Sequence, residues 1–228
     1  MTLLQQAGGG ALALGIAPSQ TTALRAAAAT CESVQDIINI AATAEALAVT
    51  ALGGALDSAA KGNLALNAEQ VQFVTAARAE EQAHYAYLTG AGAKPLTTTF
   101  TLPDTKIVTD PATFLKTVIG LEEAFIAAYL AAAQEFAILG QPKLVQVALQ
   151  VGAVEAEHRA HARFYAITAG VISDKVPNNL AFEKAMFTAV GGAAQALTQL
   201  GWIGGNGTKI TYPGPGQIDN SGVTNLQP

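Results

Sequence analysis

The chain holds one cysteine, three histidines and one tryptophan in 228 residues, and only 13% of its residues are charged. A lone thiol, Cys31, excludes an intrachain disulfide and any site built from several thiolates. Twelve Lys and Arg against 17 Asp and Glu leave a net charge of −5. With no basic cluster or stripe, the electrostatic footprint of a nucleic-acid partner is missing. No membrane span is expected. The uncharged run Leu3 to Ala17 is too short. The longer run Ala185 to Thr208 contains Gln195, Gln199 and five glycines between Gly191 and Gly205, and reads as a buried helix ending at a Gly-rich stop. What the chain has in abundance is apolar surface: half its residues are hydrophobic, enough for a sizeable core.

The pattern divides the chain into three parts. Residues 1–30 form an apolar N-terminal segment, in which Leu3 to Ala17 is followed by Pro18-Ser19 and by Ala26 to Ala29. That order matches the apolar core and small-residue cleavage zone of an export signal, so a periplasmic or extracellular location is expected. Residues 31–200 read as a helical domain. Residues 201–228 read as an irregular tail with turn signals at Asn206-Gly207 and Pro213-Gly214-Pro215-Gly216. The tail keeps apolar residues such as Tyr212, Val223 and Leu226, so it is expected either to pack on its own bundle or to reach a neighbouring subunit in a homo-oligomer.

Five helices are predicted. The first runs from about Cys31 to Ala59, apolar at Val34, Ile37, Ile38, Ala41, Ala44 and Ala48. The second starts at Asn67, with Gln70 placed for a capping box, and ends near Gly90. The third starts at Asp110-Pro111 and ends at Gly140; the fourth starts around Gln141-Pro142 and ends at Gly170. The fifth is expected from Asn178 or Asn179 to Gly201. Between the second and third lies Ala93 to Thr109, where Thr97 to Pro103 and Lys106 to Val108 look extended but too short for a sheet of their own. A short loop, a long crossover and a short loop give the ferritin-like connection of a four-helix bundle.

Two of the three histidines close the same motif: Glu81-Gln82-Ala83-His84 and Glu155-Ala156-Glu157-His158 are both Glu-x-x-His. Residues i and i+3 share a helix face, so each motif points a carboxylate and an imidazole the same way. Two such pairs, with one Glu from each of two further helices, are the ligand set of a di-iron or di-manganese carboxylate bundle. The first helix supplies Glu45, in line with Ile38, Ala41 and Ala48, an odd place for a solvated charge. On the third, Glu122 and Glu123 compete, with Tyr129 two turns beyond Glu122. Glu80 is not excluded by phase, since it aligns with Phe73, Ala76 and Tyr87. Glu157 and His161 form an i, i+4 pair on an adjoining face, as supporting groups or as a surface pair. Four glutamates and two neutral imidazoles carry −4, which two divalent ions would neutralise; without metal, some carboxylates must hold protons.

The chain resembles the ferritin-like superfamily, and more closely its branch related to plant desiccation-related proteins. The resemblance rests on Ala76 to His84, Gly92-Ala93-Lys94-Pro95-Leu96, Leu121-Glu122-Glu123 with Ala128-Tyr129-Leu130, and Val154 to His158. In the tail it rests on Tyr212 to Gly216 and Ser221 to Asn225. It covers most of the chain from Cys31 onward. The resemblance implies an all-α, ferritin-like four-helix bundle with a long central crossover, here extended by a fifth helix and an irregular C-terminal tail. It implies Glu45, Glu81, His84, Glu122, Glu155 and His158 as metal ligands for two iron or manganese ions. The near-equal spacing of Glu45 to Glu81 and of Glu122 to Glu155 favours Glu122 over Glu123. The implied chemistry is oxidation of Fe(II), or reaction with dioxygen or peroxide, in stress protection. The alternatives are a non-enzymatic desiccation or stress protein and a structural assembly protein on the same fold. Similar proteins often carry a twin-arginine export signal; this chain has no Arg-Arg pair.

Overall fold

The structure is a computed structural model that describes residues 31–220 and 222–228; the N-terminal segment 1–30, with the expected export signal, lies outside the described residues. Four long helices form the body: α1 (Val34–Ala60), α2 (Ala68–Gly90), α3 (Pro111–Ile138) and α4 (Pro142–Thr168). Their starts are set by local chemistry. Ser33 accepts from the Asp36 amide at 3.1 Å. Asn67 and Gln70 form both halves of the capping box, at 2.8 and 2.9 Å, satisfying two amides that the helix leaves orphaned. Asp110 accepts from the Thr113 amide at 2.9 Å, and Pro111 occupies the first turn, where its missing N–H costs nothing. At the α3–α4 turn the chain reverses through Gly140 at φ 70°, a conformation that disfavours a side chain.

Helix α1 packs along α2, and α3 along α4, with the long crossover joining the two hairpins. This is the ferritin-like bundle that the sequence predicts. By length and composition α1 is also apolar enough to cross a membrane, but 72% of its most apolar window is buried inside the protein. A helix apolar on every side needs cover on every side, and α1 receives it from elements outside the four-helix body.

Part of that cover departs from expectation. The crossover stretch Thr99–Leu102 (β1) does not stay unpaired. It forms an antiparallel two-strand ladder with Thr208–Thr211 (β2) of the tail, with Phe100 opposite Ile210. Lys106 to Val108, expected as extended, instead belongs to a 3₁₀ turn, Thr105–Val108, started by Asp104. Phe100, Leu102, Ile107 and Trp202 pack together over Leu47 and Ala48 of α1 and Leu121 and Phe125 of α3. A four-residue strand is too short to stand alone; its partner comes from more than 100 residues further along, which local pattern cannot reveal.

The fifth helix is also shorter than expected. It runs only over Gly191–Gln199 (α5), not from Asn178 or Asn179. Side-chain contacts tie down the irregular segment before it. The buried Arg159 of α4 donates to Glu183 at 2.8 Å, and the buried Arg163 donates to the Pro177 carbonyl at 2.8 Å and pairs with Asp174 at 3.2 Å. Lys184 reaches Glu123 of α3 at 3.1 Å. Two buried guanidinium groups need acceptors, and this segment supplies them in a conformation that is not helical. The start of α5 is then held by carboxylates. The Val190 amide donates to the buried Glu135 at 2.9 Å, and the Gly191 amide to Glu32 at 2.9 Å. Negative groups at a helix N-terminus satisfy its free N–H donors and its dipole.

Candidate metal centre

The four long helices each aim acidic side chains at the middle of the bundle. Helix α1 brings Glu45, α2 brings Glu81 and His84, α3 brings Glu122, and α4 brings Glu155 and His158. All four glutamates are buried, Glu81 and Glu155 completely. The six fall into two overlapping groups, Glu45-Glu81-His84-Glu155 and Glu81-Glu122-Glu155-His158, each with donor atoms within 4.8 Å of one another. Glu81 and Glu155 belong to both. The structure thus brings together every residue that the two motifs and their companion glutamates single out.

The polar atoms of this cluster are poorly satisfied by one another. Nδ1 of His84 sits between three carboxylates, 3.4 Å from Glu155, 3.5 Å from Glu45 and 3.6 Å from Glu81, yet hydrogen-bonds to none. Glu45 Oε2, both oxygens of Glu81, Glu122 Oε2 and Glu155 Oε1 are likewise buried without a hydrogen-bond partner. Buried polar atoms are normally paired, and each orphan costs about 1–3 kcal/mol. Six of them belong to the two overlapping groups, an arrangement compatible with a bound cation.

Charge within the cluster follows burial. Burial, then the charge of Glu81, pushes the Glu45 carboxyl up to about 8. Burial likewise carries Glu122 well above the usual carboxylate range, against the pull of His158. Glu81 and Glu155 are buried as deeply, yet both lie below their ordinary values. For Glu81, the nearness of Glu45, His158 and His84 outweighs burial and the charge of Glu155; for Glu155, the nearness of His158 and His84 outweighs burial and the charge of Glu45. Burial works against charge on His84 and His158 too, but the surrounding carboxylates raise both well above the ordinary imidazole value. Proton affinity in the cluster is thus raised at Glu45, Glu122 and both imidazoles and lowered at Glu81 and Glu155.

Two side chains support it from outside. The buried Tyr129 hydroxyl, on α3, donates to Glu45 Oε1. Glu80, half-buried, lies 2.7 Å from Nε2 of His158, and that contact holds its carboxyl below the usual range. A carboxylate on Nε2 leaves Nδ1 directed at the cluster, where it lies 3.2 Å from both Glu81 and Glu155.

The residues that the sequence left open are placed outside the cluster. Glu123 faces Lys184 and Arg159 rather than the bundle interior. His161 is exposed and lies against Phe73 with the rings tilted, 5.3 Å between ring centres, and Glu157 is exposed. Arg159, Arg163 and Glu135 are buried as well, although no motif in the sequence marks them. Their i, i+4 spacing along α4 is the one signal that could have marked the arginines as a shared face.

A family model described as a ferritin-like domain matches residues 33–167, from the cap of α1 to the last turn of α4, a span that contains all six clustered residues. No curated protein and no solved structure matches the chain.

Proposed function

For a chain that belongs to the ferritin-like family, we propose a dinuclear metal centre of two iron or manganese ions. Glu45, Glu81, His84 and Glu155 would hold one ion, and Glu81, Glu122, Glu155 and His158 the other, the two overlapping groups having Glu81 and Glu155 in common. The observation that carries the reading is the convergence of orphaned buried donors. Nitrogen and oxygen donors bind divalent first-row ions at about 2.0–2.2 Å, which places neighbouring donors roughly 3–3.5 Å apart. The 3.4–3.6 Å separations around Nδ1 of His84 suit that arrangement better than any hydrogen bond. Mixed carboxylate and imidazole donors fit both metals.

Such a pair of ions supplies one-electron chemistry at adjacent centres, suited to oxidation of Fe(II) or to reaction with dioxygen or peroxide. The protein's part is electrostatic and positional. Glu80 accepts from Nε2 of His158 and so fixes which nitrogen faces inward. The Tyr129 hydroxyl steadies Glu45 in the same way. The apolar walls of α1 and α3 keep water from competing for the carboxylates. Anaerobic titration with Fe(II) should saturate near two ions per chain; a folded protein that takes up none would overturn the reading. Turnover of Fe(II) with dioxygen or peroxide then separates an oxidase from a scaffold that merely keeps the metal. The tail, expected either on its own bundle or at a partner, is engaged within its own chain through β2 and through Tyr212, whose hydroxyl donates to Gln82 at 2.6 Å.

A further inference from the structure

His84 is the wetter of the two motif histidines. Its side chain is 13% exposed, against 4% for His158. It faces a cavity of about 360 Å³, which it lines together with Tyr129 at the edge of the metal cluster. The helices do not close this flank by themselves: residues 223–228 of the tail form part of its wall. They lie well beyond the ferritin-like domain of residues 33–167.

The tail is anchored upstream of this segment. Strand β2 pairs with β1, the Tyr212 ring lies against Tyr85 at 4.6 Å between centres, and the Tyr212 hydroxyl donates to Gln82 at 2.6 Å. Beyond that anchor come Pro213-Gly214-Pro215-Gly216 and a short 3₁₀ turn, Pro215–Gln217. A turn closed by the Val223 amide on the Asn220 carbonyl at 3.2 Å leads into the covering segment. Gly222 at φ 88° and Asn225 at φ 57° are both left-handed, so the segment is bent rather than extended. Val223 and Leu226 are half-buried, while Thr224, Asn225 and Gln227 are exposed. Two half-buried apolar side chains are a weak hold beside the packed helices, which puts this segment among the parts of the molecule that open at low cost.

We propose that residues 223–228 are a lid over the His84 side of the centre, hinged beyond Tyr212 and held shut by Val223 and Leu226, and that its opening sets how fast that side is reached from solvent. The segment carries no carboxylate or imidazole side chain. It therefore governs rates of access and leaves the affinity of the centre to the four helices. As a cover of the cavity the lid needs no metal; as the gate of the centre it rests on the dinuclear reading above.

The test compares the full chain with its Val223→Ser/Leu226→Ser variant, helix content being checked by circular dichroism. The first arm is metal-free. In a Cys31→Ser/Ala83→Cys background, the new thiol in the cavity wall should react with a maleimide at least about 10-fold faster when the two tail substitutions are added. The second arm follows Mn(II) uptake by the loss of the free-ion electron paramagnetic resonance signal, and Mn(II) loss to EDTA. With the lid intact, the uptake rate should level off as Mn(II) is raised; with the tail substitutions it should keep rising. Uptake and loss should both quicken by about 10-fold, leaving Kd unchanged. Equal maleimide rates with and without the tail substitutions would overturn the lid, and so would a weaker Kd at an unchanged uptake rate. A thiol that the substitutions expose, in protein that takes up no Mn(II), would overturn the dinuclear reading alone.

Discussion

Loading the centre with metal should expel about four protons per chain at pH 7. The number follows from the groups themselves. In the metal-free protein Glu45, pushed up to about 8, is expected to keep its proton, and the rise of Glu122 well above its usual range works in the same sense. His84 and His158, raised well above the ordinary imidazole value, are cationic. Glu81 and Glu155, both lowered, hold none. Ligation requires carboxylate and neutral imidazole, so two ions displace two carboxyl protons and two imidazolium protons. The cluster is neutral before and after. A half-loaded, half-protonated cluster would leave charge uncompensated in a dry interior, which is the costly state. Anaerobic addition of Mn(II) to weakly buffered protein, followed with a pH indicator, reads the release directly. Apparent affinity should rise by about two log units per ion for each pH unit near neutrality. Glu45→Gln should remove about one proton from the total. Release of fewer than about two protons per chain at saturation would refute the assigned protonation states.

The same groups set a stability profile. Glu45 and the two imidazoles bind protons more tightly folded than unfolded, so between about pH 4.5 and 8 the native state holds more protons and stability falls as pH rises. The lowered Glu81 and Glu155 act in the opposite sense, but only below their ordinary value of 4.5. Thermal melts of metal-free protein should therefore move down from pH 5 to pH 8, and added Mn(II) should restore the loss at pH 8; a flat profile would count against the buried protons.

Three further outcomes are expected. Glu81→Ala and His158→Ala should each weaken metal binding by at least about 10- to 100-fold with helix content kept, as read by equilibrium dialysis and circular dichroism, whereas His161→Ala should bind like wild type; equal behaviour of all three would remove the motif histidines from the centre. Glu135→Ala strips the amides of Glu32 and Val190 of their acceptor and should lower urea stability by about 2 kcal/mol or more, with metal uptake unchanged. We propose from the apolar N-terminal run that the protein is exported, so mass spectrometry of native protein should find a mature N-terminus between about Ala17 and Cys31; an intact Met1 in soluble cytoplasmic extract would refute it.

The sequence by itself determined the four long helices and what they carry. Caps such as Asn67 with Gln70, and Asp110 with Pro111, act within one turn, so their meaning is local and can be read without the rest of the chain. The 3.6-residue period placed Glu81 with His84 and Glu155 with His158, and the long middle connection marked the bundle topology. Helical phase is too coarse to go further, since neighbours 100° apart can both border a seam. Only the packed helices decided that Glu122 faces inward while Lys184 and Arg159 draw Glu123 outward, and that Glu80 crosses to His158. The segment ahead of α5 defeated periodicity because Arg159 and Arg163 hold it by charge. The pairing of Thr99–Leu102 with Thr208–Thr211, and the tail's place beside His84, are contacts between residues more than 100 positions apart. No local pattern encodes them, because each joins surfaces of α1 and of the His84 flank that exist only in the packed bundle.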